Sequence, residues 1–157
     1  MFFDDPVAAF KNMRSSLKAD GSLNFVCWTE IMQNEFIIDG AEIITKHTRV
    51  NLPPVTREPG PFALSEKSYV EEILTASGFK NIKMDTVQTT ISTRDSLQQA
   101  ANILMNIGPR AKMPCGTDVS YETMLQIKSE IEELCKSRQI GDKITHKACL
   151  NYVSAVR

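Results

Sequence analysis

The sequence lacks the features that mark several large classes of protein. Its 157 residues contain no apolar run close to the roughly 20 residues that a membrane-spanning helix needs. The 18 Lys and Arg residues are interspersed with 19 Asp and Glu residues, so we expect no basic face for nucleic acid or an anionic membrane. The N-terminus is acidic where a secretory signal would be basic. These absences predict a cytoplasmic protein that binds neither nucleic acid nor membrane.

Motifs for metal binding and for thiol chemistry are also lacking. The chain has four cysteines and two histidines: Cys27, Cys115, Cys135, Cys149, His47 and His146. No two of them have the spacing of a Cys-x-x-Cys or His-x-x-x-His pair, so we expect no metal site. The sequence favours reduced thiols. It also favours histidines that lie on the surface or in loops. A Cys–His nucleophile pair that meets only in space stays an open alternative.

Local signals at the start of the chain predict a helix followed by a strand. Asp5 can cap the helix and Pro6 suits its first turn, while Gly21 is expected to end it in the left-handed conformation. The next stretch, Leu23–Trp28, is apolar almost without a break. Such a run is typical of a central strand of an α/β sheet, buried on both faces.

Residues 29–64 carry a mixed pattern. Apolar residues over Glu30–Lys46 predict one or two short helices, interrupted at Asp39-Gly40. Prolines then exclude regular helix up to Phe62. A connection of this length is either a functional loop, here a lid on the substrate side, or an exposed linker.

The rest of the chain alternates helices and strands. The pattern predicts a helix capped by Ser65 and ended by Gly78-Phe79, a strand Ile82–Ile91, a helix Asp95–Ile107 ended by Gly108-Pro109, a helix Ser120–Arg138 and a strand Lys147–Val156. The two helices within residues 92–140 form a helical insertion before the last strand. Three strands make a thin sheet, which would leave an apolar strand at an open edge.

Particular stretches resemble one known family. Phe2–Arg14, Leu17–Leu23 and Phe25–Trp28 look like the middle of a class I S-adenosylmethionine-dependent methyltransferase, and most closely the small-molecule enzymes of the ubiquinone/menaquinone-biosynthesis type. Gly60–Leu64 and Leu74–Phe79 are similar to the loop and helix before the sixth strand of that family. The turn Ala19–Ser22 departs from the family's Pro-Gly-Gly but keeps a glycine before the strand. The likeness extends over essentially the whole chain, and the first of these stretches is its most specific part.

The resemblance implies an α/β fold that is the C-terminal part of a Rossmann-like methyltransferase. Residues 1–157 would form a single partial domain containing the family's strands five, six and seven with their flanking helices. Strand seven would lie antiparallel between five and six, and the sheet would be incomplete, with an open edge at Leu23–Trp28. S-adenosylmethionine is the implied cofactor. The family's glycine-rich turn after strand one would precede Met1, so we expect no tight binding of the cofactor by this chain alone.

Six site residues follow from the resemblance and from their place in the fold. Phe2, Phe3 and Asp4 match a segment that borders the cofactor pocket in the family, although a frayed terminus is an equal alternative. Trp28 ends the apolar strand at its carboxyl end, where open α/β sheets bind ligands, although a core or rim tryptophan is the favoured alternative. Pro61 and Phe62 would belong to the substrate lid, with a plain loop anchor as an equal alternative.

No catalytic residue is assigned. Asp4, Asp5, Glu30 and His47 are possible acid–base groups, but their spacing places no pair together. Methyl transfer can depend chiefly on proximity and alignment, so the absence of a dyad does not exclude it.

Two hypotheses about function therefore stand. The chain is the C-terminal part of a methyltransferase that acts on a small molecule and is inactive without a complementing N-terminal half. Alternatively, it is a non-enzymatic binding module whose exposed strand edge pairs with a partner or with a second copy. A small α/β binding protein that uses the proline-rich loop is a third, weaker hypothesis.

Overall fold

The computed structural model describes residues 1–107, 111, 113 and 119–157, which form a mixed α/β chain. The helices are α1 (Pro6–Ser16), α2 (Glu35–Thr48), α3 (Lys67–Ala76), α4 (Leu97–Asn106) and α5 (Tyr121–Ser137). The strands are β1 (Ser22–Trp28), β2 (Lys80–Thr93), β3 (Gln139–Ile140) and β4 (Lys143–Val156). The predicted helix stop at Gly108-Pro109 and the thiol of Cys115 lie outside the described residues.

The strands form one open sheet in the order β1-β4-β2, with β3 paired to the start of β4. β4 runs antiparallel to β1, and Ser22 faces Val156 at one end of the pairing while Trp28 faces Leu150 at the other. The last strand along the sequence is therefore central in the sheet. This is the order that the resemblance predicts, and the open edge at β1 is also observed.

The chain divides into two compact units, and each has a hydrophobic core of its own. The first unit comprises residues 1–31, 55–88 and 149–157, and the second comprises residues 32–54 and 89–148. In the first unit, α1 and α3 cover one face of the sheet through a cluster that includes Phe10, Leu74 and Val153. In the second unit, α2, α4 and α5 share a cluster that includes Ile44, Leu104 and Ile131.

The prediction that β1 is buried on both faces is wrong. Leu23, Phe25 and Cys27 turn towards the core of the first unit, but Val26 on the opposite face is 56% exposed. Its cross-strand neighbour on β4, Tyr152, is also exposed, and its hydroxyl donates a hydrogen bond to Oδ1 of Asn24 at 2.9 Å. Val26 is therefore an apolar residue at the surface.

Two predicted caps differ from the structure. Helix α1 ends before the expected position, with Leu17 as its C-cap residue, and Asp20, with φ of 58°, takes the left-handed conformation expected of Gly21. Gly21 instead packs against the backbone, because a Cβ built there would lie 2.9 Å from the carbonyl oxygen of Lys18. Glu66, not Ser65, is the N-cap residue of α3. Ser65 is buried, and its backbone N–H donates to the carbonyl of Phe62 at 3.1 Å in the preceding turn.

The other predicted helix ends agree with the structure where the signal depends only on residues within one turn. Asp5 accepts a hydrogen bond from Ala8 N at the start of α1. Gly78 has φ of 85° and ends α3 in a Schellman motif, in which Phe79 N donates to the carbonyl of Leu74 at 3.0 Å. In contrast, Asp39-Gly40 does not interrupt α2, since Gly40 is buried within the helix.

Candidate functional site

The carboxyl end of β1 brings together the residues predicted to contact a substrate. The ring centroids of Trp28 and Phe62 are 6.3 Å apart, with the ring planes tilted by 34°. Phe62 is buried. Trp28 is half-buried, and so is Pro61, which precedes Phe62 in the turn. Two aromatic rings that lie apart by 34 positions in the sequence thus form one apolar patch at the end of an edge strand.

The N-terminal segment lies beside the same turn. The backbone N–H of Gly60 donates to the carbonyl of Met1 at 3.1 Å. Phe3 packs edge-on against Phe10 of α1, with 6.1 Å between the ring centroids. Phe2 is 69% exposed and Asp4 is exposed as well. Of the three residues expected at the border of a cofactor pocket, only Phe3 is part of a packed wall.

Polar side chains that sequence analysis did not single out are buried next to this patch. Asn151 of β4 is 1% exposed; it accepts a hydrogen bond from the Thr86 hydroxyl at 3.1 Å and donates one to the carbonyl of Ser65 at 3.4 Å. Thr29, also buried, donates its hydroxyl proton to the carbonyl of Cys149 at 3.0 Å. These bonds join the Ser65 turn and the end of β1 to the central strand. An asparagine next to the apolar run Ala148–Leu150 of this strand is the one sequence signal that points to them.

The buried thiol in this region is poorly suited to nucleophilic catalysis. Burial raises the pKa of the Cys27 thiol to about 11. The nucleophile is the thiolate, so Cys27 is almost entirely in its unreactive form at neutral pH. It is a core residue, as the sequence predicts.

The second unit contains a half-buried charge cluster that the sequence did not predict. Arg138, the C-cap residue of α5, donates to both carboxylate oxygens of Asp39 on α2 at 3.0 Å. His146 of β4 is also buried, and its Nδ1 atom lies 3.4 Å from Oδ2 of Asp39. Glu35, one helical turn before Asp39, accepts a hydrogen bond from the backbone N–H of Lys147 at 2.9 Å. The expectation that His146 lies on the surface or in a loop is therefore wrong.

The cluster changes the acidity of Asp39. Burial raises the pKa of this carboxyl, but the contact with His146 and the charge and hydrogen bonds of Arg138 outweigh that effect. The pKa is consequently below its usual value of 3.8. Asp39 is therefore a carboxylate at neutral pH. This favours a structural role for Asp39, as a clamp that joins α2 to Arg138 and His146, over a catalytic role as a general acid.

We expect acid to weaken this clamp. The stabilisation due to Asp39 is complete above its unfolded pKa of 3.8 and is lost as the pH falls through the lower folded value. Chemical denaturation from about pH 6 to about pH 2 should therefore show a steeper loss of stability for the natural chain than for Asp39→Asn. Other carboxylates titrate in both proteins, so the difference between the curves isolates Asp39. Parallel curves would contradict the assignment.

His47, the other histidine, lies on a different part of α2. Its Nε2 atom is 2.8 Å from Oε1 of Glu130, and Nζ of Lys46 contacts the same carboxylate at 2.9 Å. Hydrogen bonds lower the pKa of Glu130, and the bond from Lys46 has a larger effect than the one from His47. Over the described part of the chain, no three His, Cys, Asp or Glu side chains are grouped in a way that would hold a metal ion.

Comparisons with known proteins assign no family: neither the protein-family models nor the curated proteins contain a match to this chain. Among residues 1–107, 111, 113 and 119–157, no helix combines the length and the apolar character needed to cross a bilayer.

Proposed function

We propose that this chain is the C-terminal, substrate-side part of a class I S-adenosylmethionine-dependent methyltransferase that acts on a small molecule. The observation that carries the proposal is the strand order β1-β4-β2, in which the last strand lies antiparallel to β1 in the middle of the sheet. This is the placement that the resemblance requires of strands five, seven and six. A sheet built only from consecutive hairpins would have the order of the sequence instead.

The position of the aromatic patch supports the same proposal. In open α/β sheets, ligands bind beyond the carboxyl ends of the strands. Trp28 is the final residue of β1, and Phe62 packs beside it. Rings in this position offer a planar or apolar substrate a surface to stack on.

The residues present do not make a complete site for S-adenosylmethionine. No Gly-x-Gly-x-x-Gly turn occurs in the sequence, and both Phe2 and Asp4 are exposed rather than arranged around a pocket. We therefore derive no methyl-transfer step for this chain alone.

Isothermal titration of the 157-residue chain with S-adenosylmethionine is expected to show no micromolar binding, because the sequence has no Gly-x-Gly-x-x-Gly turn to hold the cofactor. S-adenosylhomocysteine, which lacks the charged sulfonium, serves as the control for simple electrostatic attraction. Micromolar binding of either compound would contradict this prediction.

The methyltransferase assignment itself has a separate test. The coding DNA upstream of Met1 should encode a strand followed by a Gly-x-Gly turn, and a chain extended to include it should bind S-adenosylmethionine. In that extended chain, Trp28→Ala should leave the affinity for the cofactor unchanged. The same substitution should lower the affinity for the methyl-accepting substrate. An upstream sequence with no such turn would contradict the proposal.

A binding module is the second candidate, and the register of β1 favours it. Thr29 N donates to the carbonyl of Cys149, and Arg157 N donates to the carbonyl of Gly21. Odd-numbered residues of β1 therefore direct their backbone groups to β4, and even-numbered residues direct theirs to the other edge. The backbone groups of Asn24 and Val26 are aimed at the open edge, where another strand could add to the sheet.

A further inference from the structure

We propose that the open edge of β1 pairs antiparallel with β1 of a second copy of this chain, in a register centred on Asn24. The inference rests on the second candidate function and names its partner. Across the described residues, β4 is the only strand that neighbours β1. The outward backbone groups of Ser22, Asn24 and Val26 follow from the register of that pairing.

The composition of β1 favours self-pairing. Natural edge strands are normally protected by charged side chains, by proline or by bulges. β1, with the sequence SLNFVCW, has neither charge nor proline. The opposite edge strand, β2, carries Lys80, Lys83 and Asp85. A pairing of β1 with β2 of another copy would place uncharged residues against these charges and would also propagate without closing. Pairing of β1 with β1 closes into a two-fold dimer and buries no charge from either strand.

Symmetry and flanking charges select the register. The backbone N–H and C=O groups that point away from β4 must face the same groups of the second copy. Even-numbered residues of one copy must therefore lie opposite even-numbered residues of the other. A pairing centred on Phe25 would place Asp20 of one copy opposite Glu30 of the other at both ends, and these like charges repel. A pairing centred on Asn24 avoids that contact and sets Ser22 opposite Val26. It also leaves Trp28 outside the paired segment, where its ring stays on Phe62.

The exposed face of the strand supplies the side-chain contact of the dimer. Val26 is 56% exposed and its neighbour Tyr152 is 42% exposed on the same face. In the dimer, Val26 of each copy lies across the new strand boundary from Ser22 of the other. A single added strand pair buries little area, so we expect a weak, concentration-dependent dimer with a dissociation constant in the micromolar range or above.

Sedimentation over a concentration series tests the interface. The natural chain should pass from monomer to dimer, and Val26→Lys should raise the dissociation constant at least about ten-fold by placing a charge on the edge. Val87→Lys on β2 is the matched control, because Val87 is 45% exposed on the opposite edge strand, and it should leave the dimer unchanged. A natural chain that stays monomeric throughout, or equal effects of the two variants, would overturn the proposal.

Disulfide trapping tests the register. In the proposed pairing the two Asn24 Cα atoms face each other at about 5.5 Å, within the range of a disulfide, whereas the two Val26 Cα atoms lie four residues apart along the strands, about 13 Å. Asn24→Cys should therefore form a covalent dimer under mild oxidation, whereas Val26→Cys and the natural chain should not. A dimer that fails to cross-link through position 24, or that cross-links through position 26 instead, would overturn this register.

The two proposals fail in distinguishable ways. A monomeric chain that captures an unrelated extended peptide at β1 would overturn the self-pairing and keep the binding-module candidate. A monomeric chain whose extended form binds S-adenosylmethionine would overturn the self-pairing and support the methyltransferase proposal.

Discussion

Replacing Leu74 with alanine is expected to lower the free energy of unfolding by about 3 kcal/mol. Leu74 is completely buried on α3, in the cluster with Phe10 and Val153 that attaches the helices of the first unit to the sheet. The substitution removes the apolar contacts of three carbon atoms and leaves a cavity that rigid strands cannot fill. Urea denaturation followed by circular dichroism measures the loss.

Glu71→Ala on the same helix is the matched control. Glu71 is exposed, and alanine has the higher helix propensity, so this change should alter stability by less than about 0.5 kcal/mol. If Leu74→Ala were as mild as the control, the cluster would not be the core that stabilises the first unit.

The second large effect concerns the charge cluster of the other unit. Arg138→Met should lower the free energy of unfolding by about 3 kcal/mol, because it leaves the Asp39 carboxylate buried without its main partner. The Asp39 side chain is 11% exposed and that of Arg138 is 31% exposed, so water can replace the guanidinium only in part. The loss should be smaller at acid pH, where Asp39 becomes neutral.

A double variant separates the ion pair from general packing. Combining Arg138→Met with Asp39→Leu removes both charges, and it should be less destabilised than Arg138→Met alone. Lys136→Met, two residues away and 63% exposed, should have almost no effect. An additive double variant would show that Arg138 acts through its packing and not through Asp39.

Local signals in the sequence predicted most of the helices. Asp5 before Pro6 caps α1 as expected, because a cap bonds to backbone N–H groups within three residues. Ser120 was expected only as the first residue of the last helix, and it caps α5 in the same way. The helix stop at Gly78-Phe79 likewise depends on hydrogen bonds within a single helical turn. Three of the four described strands were predicted with the correct identity, and β3 was missed. The predictions for β2 and β4 were too short, since each extends over 14 residues. Their ends depend on cross-strand hydrogen bonds, which a local pattern does not contain.

Features that depend on distant residues escaped prediction. The apolar run in β1 has the pattern of a central strand, yet an edge strand can carry the same side chains when nothing covers its second face. Asp39, Arg138 and His146 are spread over 108 positions, and none of the spacings among them belongs to a motif. Trp28 and Phe62 were both predicted to contact substrate, but only the fold brings their rings together.

The central position of β4 has a consequence for biosynthesis. Cys27 and Asn151 face each other across the sheet although they are 124 residues apart in sequence. During translation β1 emerges well before β4, its one neighbour among the described strands, so this pairing must wait until β4 has been made. The edge of β1 that pairs with β4 is exposed throughout that interval, when unpaired strands are most prone to aggregate. The nascent chain therefore depends on rapid completion, or on a chaperone that shields β1, more than a sheet of consecutive hairpins would.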